Sequence, residues 1–393
     1  MLEFHPPKRI LLGPGPSDAD PRVLAAMSEP LVGHLDPEFL KVMDDIQSSL
    51  RSLFQTSNRL TIPVSGTGSS GMEAAFVNLV EPGDTVAVCV NGVFGERMCD
   101  IVTRCGGELL RIDAEWGKSF DPDSIRTALK RLKAPQPKVF AVVHAETSTG
   151  VLTPLSMIQE LLRDFPETML LVDCVTSLGG HPVGIDQHHV DFAYSGTQKC
   201  LSCPPGLAPI TLSERAVNTL RQRRSKVQSW YLDLSMVEKY WGDDRTYHHT
   251  APISMNYALR EALRLIEEEG LEKRWARHRL NHQAFVAGIE AMGLEMLVRP
   301  ENRLWSLNTV RIPNGIADAR VRAALLQDFG IEIGGGLGPL KGKIWRVGLM
   351  GYSSHKNNVL LFLNALEHIL TREGFKLRLG AAAEAAGQVF LSS

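Results

Sequence analysis

A largely parallel, doubly wound α/β sheet followed by a smaller α+β unit is the fold that the sequence predicts, and three observations predict it. Between about residues 60 and 210, short β-rich apolar runs (LTIPVS, TVAVCVNG, VFAVVHAE, MLLVDC and VDFAYSG) alternate with amphipathic stretches such as PDSIRTALKRLK and LSMIQELLRDF. That alternation marks parallel strands with helices covering the sheet. At 393 residues the chain is longer than a single hydrophobic core usually grows, so two packed domains are expected. After the amphipathic pattern YALREALRLIEEEG, the order changes to strand LNTVRIP, helix ADARVRAALLQDFG, strand KIWRVGLMG and helix NNVLLFLNALEHIL.

In chain order, residues 1–15 (MLEFHPPKRILLGPG) are expected to form an extended arm, residues 16–268 the large domain and residues 269–393 the small one. The Ala-rich end after Gly380 is expected to be a weak helix or a disordered tail. No internal repeat interrupts this order. With 44% apolar residues, 22% charged residues and a formal charge of −2, the composition is that of an ordinary soluble protein. It gives no electrostatic reason to expect nucleic acid or an anionic membrane as partner, so a small-molecule ligand is expected. Six scattered cysteines (Cys89, Cys99, Cys105, Cys174, Cys200 and Cys203) suit free thiols in a reducing compartment, and a cytoplasmic location is expected. No signal peptide or bilayer-length apolar run is recognisable.

The stretch LTIPVSGTGSSGMEAA places Gly66-x-Gly68-x-x-Gly71 between a strand and a helix, the literal dinucleotide fingerprint. An NAD-dependent dehydrogenase is therefore an alternative. That function also needs an acidic residue at the end of the following strand, where TVAVCVNG has Asn91-Gly92 instead. What survives is a helix N-terminus able to cradle one phosphate. Asp173 ends the strand MLLVDC, and Lys199 follows the strand VDFAYSG on a tight loop, so both are expected above adjacent strand ends. A phosphate cradle, a strand-end aspartate and such a lysine are the three parts that pyridoxal 5′-phosphate requires: phosphate anchor, ring-nitrogen partner and Schiff-base amine.

Ordered blocks along nearly the whole chain carry a resemblance: LLGPGPSDADPRV, VGHLDPEF, VNLVEPGD, HAETSTGVLTPL, LLVDCVTSLGG, YSGTQKCLSCPPG, WYLDL, YHHTAPIS and IEIGGGLGPLKGKIWRVGLMGY. On these blocks the sequence resembles the class V aminotransferases of the fold-type I pyridoxal-phosphate enzymes, and most of all the alanine–glyoxylate / serine–pyruvate aminotransferase family. The resemblance implies a large domain with a mostly parallel, seven-stranded type of sheet and a smaller α+β C-terminal domain. It implies Lys199 as the Schiff-base lysine and Asp173 as the ring-nitrogen partner, with Val175 beneath the ring. Gly68, Ser69 and Gln198 fall at phosphate-binding positions, Ser69 standing where many relatives have histidine. Phe94 takes the place usually held by a stacking tryptophan.

Thr147 matches a hydroxyl near the ring oxygen, while Tyr247 and Thr250 match residues that reach the phosphate of a neighbouring subunit, which implies a homodimer with shared active sites. Arg346 matches the arginine that clamps the substrate carboxylate, and Gly15 matches backbone beside the substrate pocket. The implied activity is transfer of an amino group from a small L-amino acid, alanine or serine, to glyoxylate. The (S)-ureidoglycine–glyoxylate and 2-aminoethylphosphonate–pyruvate aminotransferases share the cofactor machinery and differ in pocket residues, so the sequence leaves them open. A cysteine desulfurase needs a mobile cysteine well after the lysine, and no cysteine follows Cys203.

Among the remaining candidates, His248 and His249 lack a nearby carboxylate pattern and no metal is expected there. His144 is expected to be a hydrogen-bonded core residue, His34 either lines the pocket entrance or is structural, and Glu267-Glu268-Glu269 is expected to be the solvated end of a helix.

Overall fold

The computed structural model describes residue 3, residues 5–132 and residues 136–392. Met1, Leu2 and Phe4 of the expected arm, Lys133 at the end of PDSIRTALKRLK and Ser393 of the tail lie outside the described residues. Seven strands form the main sheet, in the spatial order Leu60–Ser65, Leu207–Leu212, Phe192–Tyr194, Met169–Asp173, Val139–Val143, Thr85–Val90 and Glu108–Asp113. All are parallel except Leu207–Leu212, which runs antiparallel to both of its neighbours.

The apolar runs read from the sequence are buried on both faces, as covered parallel strands must be. Val86, Val88, Val139, Ala141 and Val143 turn to one layer, where Met72 and Phe76 of the helix Gly68–Leu79 pack. Ala87, Phe140 and Val142, one residue out of phase, turn to the other, where Ile46 and Leu50 of the helix Pro37–Phe54 meet Leu259 and Leu263. Asp36 starts the Pro37–Phe54 helix by accepting the Glu38 N–H at 2.8 Å, with Pro37 in the first turn, where its missing N–H costs nothing.

Two strands of the sheet were not among the predicted runs. Glu108–Asp113 is an edge strand whose exposed Glu108, Leu109, Arg111 and Asp113 hide the apolar period. Leu207–Leu212 carries Pro209 in mid-strand, which ordinarily argues against a central position. Pro209 lies opposite Pro63, and the Gly66 N–H to Gly206 O bond of 2.9 Å sets an alternation in which that pair exchanges no hydrogen bond.

The helix Ile253–Glu269 stops at Gly270 (φ 81°), and the helix Leu271–Ala291 starts immediately. Beyond it, the strands Leu307–Arg311, Ile344–Gly348 and Gly334–Gly335 make a small sheet with Ile344–Gly348 in the centre. Trp345, Val347, Phe285 and Phe362 fill the core between this sheet and the helices Leu271–Ala291 and Lys356–Arg372. Two features depart from expectation. The arm is not merely extended: Ile10–Leu11 adds in parallel to Ile331–Glu332. The Ala-rich end is an ordered helix, Ala381–Leu391, whose Ala382 and Ala386 are buried in the same core.

Candidate active site

Most of the predicted site residues emerge at the carboxyl ends of parallel strands, the edge where open α/β sheets hold ligands. Gly68 and Ser69 follow Leu60–Ser65, Phe94 follows Thr85–Val90, Thr147 follows Val139–Val143, and Asp173 and Val175 close Met169–Asp173. Gln198 and Lys199 follow Phe192–Tyr194.

Asp173 is buried between its two neighbours. Its Oδ1 accepts the Val175 N–H at 2.8 Å, and its Oδ2 accepts the hydroxyl of Tyr194, its register partner, at 2.8 Å. Burial pushes its pKa up to about 7 against these hydrogen bonds, and it has no ion-pair partner among the described residues. A carboxyl in this position is completed by a cationic N–H. The Lys199 ammonium is likewise buried; burial first, and the Arg346 charge second, bring its pKa down to about 8. Its Nζ donates to the Pro14 carbonyl oxygen. Its own carbonyl oxygen accepts from Ser17 Oγ at 2.8 Å and from the Ser202 N–H at 3.0 Å, which fixes the loop. Gly15 has φ +111°, and a Cβ there would collide with the lysine chain, so the arm can pass this closely only as glycine.

The helix Gly68–Leu79 begins at Thr67 with no side-chain cap, which leaves N–H groups at its start for a ligand. A Cβ on Gly68 would meet Val175 and Gly196 at 3.4 and 3.5 Å, so this turn sits against both the Asp173 and the Lys199 loops. Gln198 Oε1 is buried beside Gly196 without a hydrogen-bond partner among the described residues. Ser69 Oγ accepts from Arg97 Nη1 at 3.0 Å. The Phe94 N–H donates to Glu146 Oε2 at 3.2 Å, and the Thr147 and Thr176 hydroxyls lie 2.5 Å apart. Arg346, 7% exposed, donates from Nε to Gly335 O at 2.7 Å and from Nη1 to Thr147 O at 3.3 Å. It makes no ion pair among the described residues, and burial lowers its pKa to about 10. A buried guanidinium with carbonyl contacts alone has fork donors to offer a carboxylate.

These groups test the fit of pyridoxal phosphate directly. An uncapped helix start, a buried carboxyl awaiting a cationic N–H and a buried amine of lowered pKa together suit its phosphate, its ring nitrogen and its aldehyde carbon.

Tyr247 and Thr250 are not part of this cluster. Tyr247 is 58% exposed with its ring 5.3 Å from that of His34, and among the described residues no hydrogen bond or ring contact joins either residue to the Lys199 loop. His144 is a core residue, its Nδ1 2.9 Å from Ser177 Oγ. Glu269 corrects the expectation of a wholly solvated acidic run. Burial would raise its pKa, but Arg277 at 2.5 Å and Arg274 at 2.7 Å bring it down to about 2.

Sequence reasoning missed three residues of the site. Tyr194 is signalled only by its register opposite Asp173. Glu146, fully buried, accepts from Ser148 Oγ at 2.6 Å and from the Phe94 N–H, and its signal is a charge inside the apolar run VFAVVHAE. Pro14 is signalled only by the GPGP turn. Among the described residues no group of three or more His, Cys, Asp or Glu gathers to hold a metal, and no helix is long and apolar enough to cross a membrane.

The Aminotransferase class-V family model matches residues 10–357. A solved structure of alanine–glyoxylate aminotransferase from Nostoc sp. superimposes with a TM-score of 0.92 at 52% identity, over 94% of this chain and 97% of that one. Ureidoglycine–glyoxylate aminotransferase from Bacillus subtilis gives a TM-score of 0.96 at 44% identity, over 99% and 100%. Alanine–glyoxylate aminotransferase of Callithrix jacchus is 41% identical over 93% of this chain and 88% of its own.

Proposed function

The chain belongs to the class-V aminotransferases, and from that premise we propose that it moves the amino group of a small L-amino acid, alanine or serine, to glyoxylate, leaving pyruvate or hydroxypyruvate and glycine. The observation that carries the proposal is the pair Asp173 and Lys199, a buried carboxyl and a buried amine of lowered pKa at the ends of adjacent strands.

Pyridoxal phosphate supplies an electron-poor ring that stabilises negative charge developing at the substrate α-carbon. The Asp173 carboxylate holds the proton on the ring nitrogen, and Tyr194 and the Val175 N–H orient that carboxylate. Lys199 Nζ would hold the cofactor at its aldehyde carbon and, as a free amine, would be placed to take the substrate α-proton; an amine titrating near 8 is matched to that task at neutral pH. Gly68, Ser69 and Gln198 hold the phosphate, Phe94 and Val175 flank the ring, and Thr147 faces its oxygen. Arg346 would fork each substrate carboxylate, and Pro14–Gly15 lies against the Lys199 side chain.

Tyr247 and Thr250 complete the phosphate site of a second copy, so the enzyme is a homodimer. Its chain divides into the arm 1–15, a cofactor domain 16–268 and a small domain 269–393, a division supported by the helix end at Gly270. Six buried free thiols support a reducing compartment, and the proposal places the enzyme in the cytoplasm. A second donor, (S)-ureidoglycine, is favoured by one observation: the Bacillus subtilis structure matches over 99% of this chain.

The test is absorbance of the cofactor-loaded protein mixed in turn with alanine, serine, ureidoglycine and aminoethylphosphonate, then with glyoxylate or pyruvate. Loss of the yellow band with alanine or serine and its return with glyoxylate are expected. Response to ureidoglycine alone selects the second donor, and a protein that never becomes yellow overturns the cofactor assignment.

A further inference from the structure

The arginines around the helix Val93–Arg104 are committed to carboxylates, with one exception. Arg111 pairs with Glu96 at 2.6 Å, and Arg104 with Asp100 at 2.8 Å. Arg97, on the same helix, makes no ion pair among the described residues. Its guanidinium lies 5.0 Å over the Phe94 ring centroid, and its Nη1 donates to Ser69 Oγ at 3.0 Å. One side chain thus joins the residue proposed to face the cofactor ring to the one proposed to hold its phosphate.

Ser70, the next hydroxyl of the turn, is already committed: its Oγ donates to Thr67 O at 2.7 Å. Because Ser69 Oγ accepts from a cation, its own O–H is left to donate, and the cation polarises it into a better donor. The contact with the Phe94 ring favours this placement of the guanidinium.

We propose that Arg97 is a positioning residue for the phosphate end of the cofactor: it holds Ser69 so that the serine hydroxyl and the N–H groups at the start of Gly68–Leu79 face the anion together. The proposal rests on the pyridoxal-phosphate assignment and deepens it. Ser69 is effective as a phosphate donor only with this partner, and the free N–H groups of Arg97 add positive potential at the same place.

Equilibrium fluorescence titration of the apoprotein with pyridoxal phosphate, and with pyridoxal, which has the ring and aldehyde but no phosphate, tests this without any turnover. In Arg97→Gln, affinity for pyridoxal phosphate is expected to fall by about tenfold or more, the worth of a charge-assisted hydrogen bond. Affinity for pyridoxal is expected to change by less than about twofold, since the ring contacts remain. Placed in a Ser69→Ala background, the same substitution is expected to have almost no further effect. Equal losses for both compounds would mean that Arg97 acts on the ring through Phe94, and would overturn the proposal. An undiminished effect in Ser69→Ala would overturn the route through Ser69, and no loss at all in Arg97→Gln would overturn the whole. Failure of the unaltered protein to bind either compound overturns the cofactor assignment itself, and the proposal with it. Arg97 is exposed, so the variant is expected to keep its fold, which near-ultraviolet circular dichroism checks.

Discussion

At Lys199, burial and a neighbouring cation act in the same direction. Removal from water disfavours the ammonium, Arg346 repels it, and the result is an amine titrating near 8 instead of its ordinary 10.5. Because the folded value is below the unfolded one, the apoprotein carries the full cost of this site below pH 8 and is relieved of it as pH rises from 8 towards 10.5. Only the neutral amine attacks an aldehyde, so the association rate of apoprotein with pyridoxal phosphate is expected to climb with pH to a midpoint near 8. Arg346→Gln removes the second cause and leaves the first. Its midpoint is expected to move upward without reaching the value of an exposed lysine. Stopped-flow rates across pH 6–11 for both proteins read this directly; a wild-type midpoint near 10.5, or no shift in the variant, would remove the electrostatic account.

The helix Ala381–Leu391 shows how an element can be specified from outside itself. Its Ala-rich face offers little apolar bulk, so the local sequence supports a weak helix at most. In the structure its start is held by Glu367 of the helix Lys356–Arg372, 2% exposed, which accepts the Gly380 N–H at 2.9 Å and the Ala382 N–H at 2.7 Å. Gly288 permits the close approach, since a Cβ there would collide with Leu363 and come within 3.1 Å of Ala382 O. Glu367→Ala leaves two N–H groups without their acceptor, and urea denaturation is expected to show a loss of about 2 kcal/mol. A loss below about 0.5 kcal/mol would mean that the packing alone orders the helix. The same logic separates what was legible in the sequence from what was not. The interior strands announce themselves because Val86, Val139 and Leu171 and their neighbours are apolar on both faces. Glu108–Asp113 and Leu207–Leu212 do not, the one being half solvated at an edge and the other carrying Pro209 at a register position that only its partner strand defines.

At the scale of the whole molecule, the proposed homodimer divides the site between two chains. Lys199 and Asp173 were legible because strand order alone brings strand ends together. Tyr247 and Thr250 were expected by resemblance alone, and among the described residues no hydrogen bond or ring contact joins either of them to the Lys199 loop. Around them lies an exposed aromatic surface: Trp230 at 59% exposure stacks on His248, and Tyr231 at 43% lies 5.0 Å from His249. His249 in turn bonds Ser65, immediately before the Gly66 turn, at 2.7 Å. In the proposed homodimer this surface is the one covered, and each Tyr247 serves the other chain's Gly68–Ser69 turn. The decisive experiment is complementation. Lys199→Ala and the double variant Tyr247→Ala, Thr250→Ala are each expected to be inactive or nearly so. Unfolded and refolded together in equal amounts, they form mixed dimers in which one site has both lesions and the other has neither. Since half of the dimers are mixed and each of those holds one whole site, about a quarter of the wild-type activity is expected to return. Had the tyrosine and threonine served the site of their own chain, every site in the mixture would carry one lesion, and nothing would return.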